Sequence, residues 1–68
     1  TSSRARTELR KAKQRALARL ERSFLAAVLE RGGGQVALAA RLADMNRAQL
    51  HHLMSRHGVS AADFKRDA

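Results

Sequence analysis

Three glycines in a row, residues 32–34, interrupt a 68-residue chain that holds no proline. Glycine resists helix propagation and accepts the left-handed backbone that closes a helix, so the triplet divides the chain into a long segment and a short one. Before it, Leu9, Ala12, Ala16, Leu17, Leu20, Phe24, Ala27 and Val28 recur at helical spacing, while Arg10, Lys11, Arg15, Arg19 and Arg22 fall largely between them. That pattern predicts an amphipathic helix over residues 7–31, with Thr7 as its N-cap and Glu8 in the first turn. Leu25 and Leu29 add a second apolar strip. The apolar surface over residues 17–29 is wider than two short helices can cover, which predicts a homodimer with Leu17, Leu20, Phe24, Leu25 and Val28 at its interface. Residues 1–14 are expected to form a basic linker or helix extension, and residues 15–68 the domain. A phosphate-cradling loop is the rival reading of the glycines, but they precede no GK[ST] and follow no strand pattern.

After the glycines, Gln35 or Gly34 is expected to open a second helix with Val36, Ala39, Ala40 and Ala43 facing inward and Leu42 beside them. The stretch ADMN, residues 43–46, breaks it. Asn46 is a strong N-cap and Gln49 stands three residues later, the spacing of a capping box, so a third helix should start at Arg47. Leu50, Leu53 and Met54 form its expected buried stripe, and Gly58 its stop after His57. Val59 and Phe64 are expected to dock back on the core. A helix, a four-residue turn and a second helix match the helix-turn-helix arrangement. The expected fold is therefore all-α: a long N-terminal helix followed by a helix-turn-helix, three to four helices in all.

A chain this short forms one small domain, which favours pairing as a source of stability. The absence of cysteine removes disulfides and zinc-thiolate sites from consideration and fits a reducing compartment. The longest wholly apolar run, FLAAVL at residues 24–29, is far short of the roughly 20 residues that cross a bilayer. With no apolar segment of the signal-peptide kind after the basic N-terminus, a cytoplasmic location is expected. The formal net charge of +8 points to nucleic acid or an anionic surface. Residues 1–22 carry eight basic and two acidic side chains, so most of the excess lies at the N-terminal end.

The stretch from Leu20 to Val59, LERSFLAAVLERGGGQVALAARLADMNRAQLHHLMSRHGV, resembles the Fis-type DNA-binding domain at the C-terminal end of NtrC-family bacterial enhancer-binding activators. Glu21 and Arg22 before an apolar run, the glycine stop, Ala39 and Ala40, Asn46 and Arg47, Leu50, and His57 and Gly58 carry the resemblance. It implies a nucleoid-associated homodimer acting in transcription regulation, with the first helix at the interface and the last in the major groove. Contacts to bases or phosphates are implied for Asn46, Arg47, Gln49, His51 and His52, with Gln35 near the DNA backbone. An ATPase and a sensory domain would belong to the parent chain. Asp44 stands where the family usually has glycine, which implies a strained turn. His51 and His52 replace residues that are strongly basic in Fis itself.

The chemistry of the residues points the same way. Arginine bonds bidentately to guanine and glutamine to adenine, so Arg47 and Gln49 on the first turn of an exposed helix suit base reading, against the plainer alternatives of a solvated arginine and an occupied cap. The histidines are the only support for an enzyme or a metal site. No pair of them has the i, i+4 spacing of a helical metal site, and no carboxylate is placed to orient His51 toward Ser55. Neither catalysis nor a cofactor is expected. The stronger rival is a basic helical module that binds RNA or an anionic surface without sequence preference, although the near absence of aromatic residues counts against stacking on single strands.

Overall fold

The computed structural model describes residues 2–65, and within them the chain is all-helical. Helix α1 spans Ser2–Arg31, α2 Val36–Leu42 and α3 Arg47–His57, and a single 3-10 turn over Ala61–Phe64 follows. The long helix plus helix-turn-helix read from the sequence is the fold observed. Helix α1 starts earlier than expected, at Ser2 rather than after Thr7. Thr7 is not a cap: its hydroxyl donates to the Ser3 carbonyl oxygen at 3.0 Å from inside the helix. Nothing upstream breaks the run of good helix formers, so the helix propagates past the candidate cap. It also crosses the expected boundary at residues 14 and 15 without interruption.

The core is assembled from one end of α1 and the two short helices. Leu25, Leu29 and Leu50 are fully buried, joined by Val28, Ala39, Ala40 and Met54, with Val36, Ala43, Leu53, Val59, Ala61 and Phe64 packed around them. Small residues let the backbones approach: a Cβ on Gly32 would lie 3.0 Å from the Ala39 Cβ, and one on Gly34 would lie 2.7 Å from the Lys65 backbone nitrogen. The other end of α1 touches none of this, and every side chain over residues 3–17 is exposed. The radius of gyration is accordingly 15.1 Å, where a compact chain of this length would have about 11 Å.

The burial pattern corrects two expectations. Leu25 and Val28, assigned to a dimer interface, are enclosed by the protein's own α2 and α3, with Leu25 wholly inaccessible. Leu17, Leu20 and Phe24 are the members of that set that stay open, at 52%, 67% and 38% exposure. Leu20 and Leu25 are five residues apart in sequence, and an α-helix turns about 100° per residue, so they face directions roughly 140° apart. Leu42, expected beside the inward alanines of α2, is 48% exposed instead.

All three helices end in the same backbone device. Gly34 N–H donates to the Leu29 carbonyl, Met45 N–H to that of Ala40 and Val59 N–H to that of Met54, each at 2.9 Å. The residue before each donor, Gly33, Asp44 or Gly58, is left-handed, with φ of 62°, 56° and 63°. These are Schellman closures, which satisfy carbonyls that the end of a helix leaves unpaired. Asp44 is the non-glycine residue at such a position, so the turn expected to be strained is kept with positive φ.

Candidate nucleic-acid interface

The turn between α2 and α3 aims the start of α3 outward, and a reciprocal pair of hydrogen bonds fixes that start. Gln49 N–H donates to Asn46 Oδ1 at 2.8 Å, and Asn46 N–H donates to Gln49 Oε1 at 3.1 Å. The capping box read from the sequence is thus present. It changes what the two amides offer a partner. Reading adenine bidentately needs both the oxygen and the NH2 group of glutamine; Gln49 Oε1 is engaged in the cap, which leaves its NH2 group for other partners. The same holds for Asn46.

Leu50 and Met54 anchor α3 in the core, so its opposite face is presented to solvent. Arg47, Ala48, Gln49, His51, His52, Ser55 and Arg56 are all exposed. Helical spacing puts Ala48, His52 and Ser55 along the middle of this face, Arg47 and His51 along one edge, and Gln49 and Arg56 along the other. Ala48 was not singled out from the sequence, and Ser55 was weighed only beside His51 as a catalytic pair; small side chains carry no signal for DNA contact until the face is known. No acidic residue stands in the first turn of α3, leaving the positive end of the helix uncompensated there.

Gln35 caps α2 by position, with extended backbone, and its side chain makes no capping hydrogen bond. It lies with His51, Ser55 and Lys65 on the rim of an open groove floored by Val36, Met54 and Val59. Among the described residues, no carboxylate lines that groove. Lys65 joins the rim because its backbone packs on Gly34, a contact that sequence spacing does not disclose. Among the described residues, no three histidine, aspartate or glutamate side chains gather as metal ligands would.

The side chain of His57, at the end of α3, is 6% exposed and bonded through Nε2 to Glu21 Oε1 at 2.8 Å. This contact fastens the last turn of α3 to α1. Arg56 approaches the same carboxylate oxygen at 3.8 Å from a side chain that is 54% exposed. Among the described residues, no helix is long and apolar enough to cross a membrane. Compared with protein-family models, curated proteins and solved structures, the chain matches none.

Proposed function

We propose that this chain is a sequence-specific binder of double-stranded DNA that acts as a homodimer, with α3 in the major groove, as the DNA-binding domain of a bacterial transcription regulator. The observation that carries the reading is the division of α3. Its apolar side is sealed into the core, its start is fixed by the capping box, and Arg47, His51, His52 and Ser55 are left outward, their side chains without a hydrogen bond or ion pair among the described residues. An α-helix fits the major groove, and an arginine on its first turn is placed for the two acceptors of guanine. Asn46 and Gln49, held as a cap, act through their NH2 groups and through the helix start they fix. Gln35 and the N-terminal end of α3 supply phosphate contacts that set register. The resemblance to the Fis-type domain of NtrC-family activators supports the same reading, as does the net charge of +8.

Selection of bound sites from random duplex DNA tests it. Recovery of an inverted repeat, with half-sites one helical turn of about 34 Å or a multiple apart, is the expected result. Recovery of no shared sequence would favour the rival, a basic helix that binds RNA or an anionic surface without preference.

A further inference from the structure

We propose that Arg15, Arg19 and Arg22, continued by Lys11 and Arg4, form a second DNA contact on α1, one that holds the sugar–phosphate backbone outside the segment read by α3. The inference rests on the DNA-binding reading above and extends it to the exposed half of the long helix. Arg15, Arg19 and Arg22 wall a shallow notch over Ala18. They stand at i, i+4 and i+7, so each guanidinium neighbours another of the same sign, an arrangement that by itself weakens a helix. No acidic residue lies three or four positions from any of these three, whereas Glu8 stands four residues after Arg4 and three before Lys11. Among the described residues, the ion pairs are made by Glu21 with Arg56 and His57, away from this row. A concave cluster of uncompensated guanidinium groups is the chemistry that takes up phosphate.

The phase of the helix places the row. Arg22, Arg15, Lys11 and Arg4 precede Leu29 by 7, 14, 18 and 25 residues, spacings that return to within about 40° of its direction at about 100° per residue, and Arg19, ten residues before it, lies about 80° to the same side as Arg15. Leu29 is wholly buried against the rest of the domain. The basic edge therefore runs along the side of α1 that carries the helix-turn-helix. The exposed Leu9 and Leu20 point roughly the opposite way, so pairing through them leaves the edge open. From Arg4 to Arg22 the edge is ~27 Å long, enough to follow ~8 base pairs at ~3.4 Å each. A lipid surface fits less well, because Arg6 and Lys13 stand within the arc of the apolar row itself.

The test uses the full chain and two duplexes: the selected site alone, and the same site with about ten base pairs added on each side. The unaltered protein is expected to bind the longer duplex at least ten-fold more tightly and with a steeper salt dependence. The triple variant R15Q/R19Q/R22Q, with its helicity checked by circular dichroism, should lose that gain. Its slope of log affinity against log salt on the longer duplex should fall by about 2 to 3, at about 0.9 per phosphate released, with affinity for the short duplex unchanged. Equal losses on both duplexes, or a length effect that survives in the variant, would overturn the proposal. So would binding to vesicles of mixed phosphatidylserine and phosphatidylcholine that the variant loses while duplex length has no effect. A protein that reads its site but is blind to flanking DNA sinks this inference alone; one that binds no duplex sinks the DNA-binding reading with it.

Discussion

Glu21 Oε1 lies 2.8 Å from His57 Nε2, across 36 residues of sequence, and so joins the middle of α1 to the last turn of α3. With the imidazole 6% exposed, its partner is this carboxylate rather than water. Glu21→Ala is expected to cost about 1–3 kcal/mol of stability, the range for a hydrogen bond to a charged group whose partner is left enclosed. Arg56→Ala should cost far less, because its longer contact is largely solvated. Urea unfolding of both variants checks the contrast; equal effects would mean that the contact does not fasten α3.

Asp44 holds φ of 56° in the turn between α2 and α3. A left-handed residue with a Cβ costs roughly 1–2 kcal/mol, and glycine returns part of that gain through its looser unfolded state. Asp44→Gly should therefore stabilise the protein by about 0.5–1 kcal/mol, and Asp44→Val should destabilise it. A lower melting temperature for the glycine variant would show that the aspartate side chain contributes more than its backbone costs.

Arg47→Ala should leave helicity and melting nearly unchanged, because the side chain is exposed and the cap does not involve it. Specific DNA binding should weaken by about 1–3 kcal/mol, with preference relaxed at the base pair that Arg47 meets. The comparison is affinity for the selected site against a scrambled duplex. If the ratio is unaltered, Arg47 is not a reader.

Leu20 is 67% exposed and Leu25 wholly buried, so substitutions at the two should separate pairing from folding. Leu20→Glu is expected to give a folded monomer by sedimentation at micromolar concentration. Leu25→Ala should cost about 2–5 kcal/mol of stability through the cavity it leaves. A Leu20→Glu chain that still pairs would move the interface elsewhere.

His51 and His52 stand on the exposed face of α3, where an imidazole N–H is able to donate to a phosphate oxygen or a base acceptor. The double variant His51→Ala, His52→Ala should therefore bind the selected duplex more weakly at fixed salt while keeping its helicity, with His57→Gln as the control for changes that act through the core. Equal affinity of the double variant and the unaltered protein would require α3 to dock in a different rotation.

What the sequence disclosed follows the range over which each signal acts. Asn46, Gln49 and Gly58 were legible because a cap and a stop are made by residues within a few positions of one another. The start of α1 was not, since Thr7 is a good cap only if the helix has a reason to begin there, and the residues before it supply none. Leu25, Val28 and Leu20 share one apolar pattern. Periodicity says that a side chain seeks cover without saying which neighbour provides it, and that is why two core residues were assigned to a partner. The pairing of Glu21 with His57 and the packing of Lys65 on Gly34 depend on how the helices cross, which no local spacing encodes. Gln49 was read for two uses, and only the geometry shows one of its atoms already taken.

The two opposed faces of α1 also bear on dose. One face closes the core within a single chain, so the contacts that bury Leu25, Leu29 and Leu50 do not themselves depend on protein concentration. The other meets its counterpart in the proposed dimer by a second-order step. Below the dissociation constant of the pair, chains that keep this core are single, and dimers grow as the square of concentration. Occupancy of an inverted repeat would inherit that square, giving a threshold in expression level without any effector.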